Sequence, residues 1–172
     1  MSLFNRMLSS VGIGAAKVDT LLQAERFCPG DMMNGIVRIT GGNVEQRIDD
    51  IYFTVHCNYL VEQDEQKIDR TATLAHYKLS EGLTIAPGEQ RELPIALQLP
   101  WETPLTMGRT RVWVSTGLDI KQSLDPADND YIQVVPGRLV SALLEAVRNL
   151  GFRLVEAETE AAPTGFRRGL PF

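Results

Sequence analysis

Cysteine and histidine are scarce in this chain, with two of each among 172 residues. Cys28 and Cys57 have no Cys-x-x-Cys spacing and fall in different expected elements; Cys57 lies on the apolar face of an expected strand, where a buried free thiol is the simplest reading. A metal centre built on His56 and His76 would need carboxylates to complete it. No apolar run is long enough to span a bilayer, and the opening MSLFNRMLSSVGIG has no sustained apolar stretch of signal-peptide form. The balance of 22 acids against 17 bases, net −5, contains no basic block and so lacks the footprint of a nucleic-acid binder. Gly-x-Ser-x-Gly, a phosphate loop and His-Glu-x-x-His are all missing. The residues read as a cytoplasmic protein that is not an enzyme and calls for no cofactor.

The chain is rich instead in strand alternation punctuated by turns. In the run from Leu83 to Thr106, Pro87-Gly88-Glu89 makes a tight turn, since proline presets φ at the first turn position and glycine tolerates the next. Beyond it Arg91, Leu93, Ile95, Leu97 and Leu99 alternate with Glu92, Pro94, Ala96 and Gln98, the pattern of a strand with one buried face. Pro94 cannot donate to a ladder, which puts this strand at an edge or a bulge. Pro100 and Pro104 close it and stiffen the loop that carries Trp101.

Before this run, residues 2–11 have helical spacing and predict a short helix capping the open end of a sandwich; a membrane-surface anchor is the alternative, with Arg6 as its single base. Lys17 to Glu25 is expected as a first strand. Pro29-Gly30-Asp31 is a second turn, and Gly35 to Thr40 a strand. Ile51, Phe53, Val55, Cys57, Tyr59 and Val61 then share one face of a long core strand, with Tyr52, Thr54, His56 and Asn58 on the other. A charged turn is expected from Glu62 to Asp69, and Thr71 to Leu79 as a mixed-polarity strand. Val112, Val114, Thr116, Leu118 and Ile120 alternate in a further strand, and Tyr131 to Val135 supplies a last one. Seven or eight strands with no helix between them indicate an antiparallel sandwich. The length suits one full core. After Pro136-Gly137, Arg138 to Leu150 forms a helix with Leu139, Leu143, Ala146, Val147 and Leu150 on one stripe, ended by Gly151.

Two groups are candidate sites. Asp119, Asp125, Asp128 and Asp130 could supply the oxygen ligands of a metal-binding or hydrolytic loop; without the glycine and final glutamate of an EF-hand, ordinary turn chemistry explains them as well. Trp113, flanked by Arg111 and Arg109, alternates opposite the valine face and is the candidate partner contact. Core packing is expected of Trp101 more than of Trp113.

Gly12-Ile13-Gly14-Ala15-Ala16-Lys17-Val18-Asp19-Thr20, Pro29-Gly30-Asp31 with Gly35, Pro87-Gly88-Glu89, Leu99-Pro100 with Thr103-Pro104, Leu118-Asp119-Ile120 and Leu150-Gly151-Phe152-Arg153-Leu154 together resemble the bacterial sporulation-control family, stage-zero sporulation protein M. The resemblance runs from Ser2 to Phe172. It implies an all-β, arrestin-like fold of immunoglobulin-type sandwiches, and a non-catalytic scaffold or regulator of sporulation, cell-cycle or stress responses. It also implies protein partners; a sandwich of this kind is expected to bind them through loops and sheet edges, where an extended peptide can add a strand. The expected organisation is a sandwich domain over 1–136, a linker helix over 137–151 and the start of a second arrestin-like half over 152–172, cut short here. The helix stripe must cover something, so the segment after Gly151 is expected to fold back as an added strand or to pair with a second copy as a homodimer. Neither nucleic acid nor a membrane is an expected partner.

Overall fold

The computed structural model describes residues 15–63, 66–120 and 126–161. The expected helix over residues 2–11 lies outside them, as does Asp125. The strands are β1 (Lys17–Leu22), β2 (Arg26–Phe27), β3 (Met32–Thr40), β4 (Gln46–Gln63), β5 (Gln66–Ile85), β6 (Gln90–Gln98), β7 (Val112–Ile120) and β8 (Ala127–Val134), followed by helix α1 (Arg138–Asn149). They form two sheets, β1-β3-β6 and β2-β8-β7-β4-β5, antiparallel throughout except that β2 runs parallel to β8. The all-β sandwich expected from the alternation is what the chain builds.

Period-two burial makes the core. Met33, Val37 and Ile39 of β3 and Ile95 of β6 face Ile51, Phe53, Val55 and Cys57 of β4 and Val112, Val114 and Leu118 of β7, all buried. Cys57 is a free thiol, and burial pushes its pKa up. β6 pairs with β3 alone, so Pro94 sits on an edge strand as its missing N–H requires. The Pro87-Gly88 turn closes with Glu89 N–H donating to Ala86 O at 3.1 Å, while Glu89 Oε2 accepts the Ala86 N–H at 2.8 Å.

Several boundaries differ from expectation. The first strand ends at Leu22, because residues 23–25 carry the chain between sheets: Gln23 N–H still donates to Asn34 O, whereas Glu25 O already accepts from Gln133 N–H. Within the charged stretch expected as a turn from Glu62 to Asp69, β4 and β5 go on pairing as far as Gln63↔Gln66. β5 skips a residue against β4 twice, between Ile51↔Ser80 and Tyr52↔Lys78 and between Val55↔Ala75 and His56↔Thr73. These bulges at Leu79 and Leu74 reset which residues face inward, which is why the strand reads as mixed in polarity. The last strand begins at Ala127 and takes in Asp128 and Asp130.

β4 outruns β7, whose ladder with it ends at Cys57↔Val112. The segment after the helix takes up the vacated edge: Leu60 N–H donates to Thr159 O at 2.8 Å and Ala161 N–H to Leu60 O at 2.9 Å, around a parallel bridge of Leu60 with Glu160. The described part of the segment beyond Gly151 thus folds back onto the sandwich at residues 159–161, by one bridge rather than a full added strand. Helix α1 buries none of its residues, and Leu139, Leu143 and Leu150 are 84%, 63% and 77% exposed. The apolar stripe is real, but it packs on nothing among the described residues.

Candidate partner interface

The inner face of the five-stranded sheet is core, and its outer face carries the side chains of interest. Register places Thr73, His56, Trp113 and Tyr131 side by side across β5, β4, β7 and β8. His56 stacks on Trp113 with ring centroids 5.5 Å apart and planes at 26°, and Trp113 meets Tyr131 at 5.9 Å and 48°. One row over, His76 stands beside Thr54, with its ring 4.8 Å from that of Tyr52. Both histidines of the chain therefore share one sheet face. Burial, helped by the charge of nearby His76, pulls the His56 pKa below its ordinary value. Tyr52 donates its hydroxyl to Asp50 Oδ2 at 2.8 Å, and Asp50 pairs with Lys78 at 2.6 Å, which lowers the carboxyl pKa.

Trp113 is half-buried at the middle of this ladder, while Tyr131 is 69% exposed. Arg111 shares its strand face, and its Nη1 donates to the carbonyls of Gly108 at 3.0 Å and Thr110 at 3.1 Å. Arg109 leans away toward Asp69, at 3.8 Å. Asn58 fixes this loop: it accepts the Arg111 N–H at 2.7 Å and donates to Arg109 O at 3.2 Å. The structure thus brings Trp113 and Arg111 together and sends Arg109 toward β5. Trp101, expected in the core, is 70% exposed, its ring lying over Gly30 where a Cβ would come within 2.6 Å. A groove of about 560 Å³ opens beside Tyr131 and Arg111 along β2 and β8.

Of the acidic group, the described members separate into Asp119 on one face and Asp128 with Asp130 on another. Asp119 is on the outer face of β7, close enough to raise the Tyr52 pKa after the larger effects of Asp50 and burial. Asp128 and Asp130 are on β8 at the seam with β1, where Asp128 Oδ2 accepts the Thr20 N–H at 2.8 Å. Asp130 Oδ2 is buried without a hydrogen-bond partner, and burial, with the charges of Asp128 and Asp19, pushes that carboxyl up to about 6. Among the described residues no three His, Cys, Asp or Glu side chains surround a common point.

Sequence patterning does not single out His56, Tyr131 and Arg26 as members of this surface. Alternation puts His56 on the polar face of β4, but only the register shows that it lies against Trp113.

A family described as SpoOM protein matches residues 4–172. This chain belongs to that family. Within it, the chain is 40% identical over 172 residues to the sporulation-control protein spo0M of Bacillus subtilis (strain 168), covering 100% of this chain and 66% of that protein. The crystal structure of Spo0M, sporulation control protein, from Bacillus subtilis superposes with a TM-score of 0.87 at 39% identity, over 91% of this chain and 64% of that one. The chain thus spans about two thirds of the length of these SpoOM relatives. The resemblance read from the turn and linker motifs is borne out.

Proposed function

We propose that this chain is a non-catalytic, arrestin-like interaction module of a cytoplasmic sporulation-control regulator, binding protein partners through the outer face of its five-stranded sheet and the adjoining loops and edges. The carrying observation is the ladder His56, Trp113 and Tyr131 on the outer sheet face, partly buried at His56 and Trp113 and open to solvent at Tyr131, which ends beside the groove at Arg111. Tyrosine, tryptophan and arginine are the side chains that most often carry binding energy at interfaces. A rigid sheet presents them in one geometry, so little ordering is needed on association. The regulatory assignment is supported by the likeness to the sporulation-control protein. Residues 152–172 are read as the approach to a second half, supported by the greater length of the relatives. The exposed leucines of α1 support self-association, or cover by that second half, as a further part of the reading.

The test is capture of partners from a cell lysate by the wild-type chain and by a Trp113→Ala, Tyr131→Ala double variant shown to be folded by its melting curve. The reading expects bands that the variant loses; equal capture by both proteins sinks it.

A further inference from the structure

The groove beside Tyr131 is lined by Glu25, Arg26, Thr106, Arg111 and Gln133 as well as by Tyr131 itself. Among the described residues its two guanidinium groups take part in no ion pair. Among the described residues, the ion pairs join Arg38 to Glu92, Arg47 to Asp49, Lys67 to Glu158 and Glu160, Lys78 to Asp50, Arg91 to Glu89 and Arg109 to Asp69; Arg26 and Arg111 are in none of them. Arg111 is oriented instead by the carbonyls of Gly108 and Thr110, which fix the guanidinium without neutralising it. A chain of net charge −5 therefore gathers two cations outside any ion pair in one concave place, against a single lining carboxylate, Glu25, which leaves the groove with an excess of positive charge.

We infer that this groove receives an acidic, extended segment of a protein partner, whose carboxylates meet Arg26 and Arg111 while an apolar or aromatic side chain lies on Tyr131 and Trp113. The inference rests on the functional reading above and names the chemistry of the partner. Guanidinium matches carboxylate with two parallel hydrogen bonds, which gives geometric selection as well as attraction. About 560 Å³ is the size of a site for a short stretch of chain rather than for a folded surface. Val112 and Ile132, paired across β7 and β8, turn their side chains into the core, so the floor of the groove between the charged and aromatic walls is low and leaves room for an extended ligand. Two cations on an acidic protein are too few to hold a polyphosphate strand against the overall charge.

The probe is a short fluorescein-labelled peptide of alternating glutamate and tyrosine, read by anisotropy against the full chain. The same peptide with glutamine for glutamate, and a single-stranded RNA of equal charge, are the comparisons. Binding is expected for the glutamate peptide, about tenfold weaker for the glutamine peptide and for Arg26→Glu. The Arg26 side chain takes part in no ion pair among the described residues, so this variant is expected to fold; Arg111→Glu is the second, with its melting curve measured alongside. An Arg26→Glu chain should in turn prefer an alternating lysine and tyrosine peptide. Equal affinity for the glutamine peptide, equal affinity for RNA, or no change in Arg26→Glu overturns the inference. If lysate capture depends on Trp113 but is indifferent to Arg26 and Arg111, the acidic-segment inference falls and the functional reading stands. If capture is indifferent to Trp113 and Tyr131 as well, both fall.

Discussion

The hydroxyls of Thr20 and Thr116 meet at 2.6 Å in the buried space between the two sheets, 96 positions apart in the chain. Thr20 also donates its backbone N–H to Asp128, so a single residue of the edge strand β1 is tied to β7 through its side chain and to β8 through its backbone. Such bonds matter most when one partner is removed. Thr116→Val leaves the Thr20 hydroxyl buried without a partner and is expected to cost about 1–3 kcal/mol. Replacing both by valine removes both polar groups at nearly constant shape and should recover most of that loss. Denaturant midpoints of the two single variants and the double variant measure the coupling.

At the same seam, Asp130 makes stability depend on pH. Its pKa is about 6 in the folded chain against an ordinary 3.8, so the folded state favours the protonated form. A raised folded pKa means that this group's contribution is fully present below pH 3.8 and is lost as pH rises through about 6. Asp128 on β8 and Asp19 on β1 are the charges that face it. Melting temperature in Asp130→Asn should therefore exceed the wild type near neutral pH, with the difference shrinking toward mildly acidic pH. A difference that is constant across this range would show that Asp130 does not titrate there.

The docked segment after the helix depends on Gly108. Its φ is +58°, and a Cβ there would stand 2.1 Å from the carbonyl oxygen of Ala157, next to the bond from Arg109 N–H to Ala157 O. Gly108→Ala is strained twice, by its backbone conformation and by contact, and should lift residues 157–161 from the end of β4 at a cost of about 1 kcal/mol or more. Amide exchange reads this directly: the N–H groups of Leu60 and Ala161 should lose protection while those of Phe53 and Val114 keep it.

Trp113 and Phe53 test which aromatic is structural. Phe53→Ala empties a fully buried site and should cost about 3–5 kcal/mol. Trp113→Ala removes the cross-strand contacts with His56 and Tyr131, each worth about 0.2–1 kcal/mol, and the burial of a partly covered ring, and should cost less than Phe53→Ala and leave a folded chain. Urea melts of the two variants rank them; a loss at Trp113 as large as that at Phe53 would make it a core residue.

The sandwich is legible in the sequence where strands are regular. β4 and β7 read directly from alternation, and Pro94 marks an edge. Irregular geometry hides the rest. The bulges at Leu74 and Leu79 break the phase of β5, and the crossing at residues 23–25 cuts the first expected strand short at Leu22 and starts β2, where no strand is expected, at Arg26. Asp128 and Asp130 are turn-forming residue types, but here the first caps a backbone N–H of another strand, a role set by tertiary contact. Trp101 and Trp113 take the opposite order of burial from the one expected, because a loop tryptophan can lie over a glycine such as Gly30 and still face solvent. Trp113 and Arg111 are visible as neighbours on one strand face. Their companions His56, Tyr131 and Arg26 come from three other strands, and only the register of β4, β7, β8 and β2 brings them together.

The claim that matters most is that the outer face of the five-stranded sheet is where partners bind. The direct measurement is lysate capture by the wild-type chain and by the folded Trp113→Ala, Tyr131→Ala variant, followed by amide exchange of the wild-type chain with its captured partner. The account predicts that the variant loses the partner and that protection appears along β7 and β8. Undiminished capture by the variant, with protection elsewhere, would contradict it.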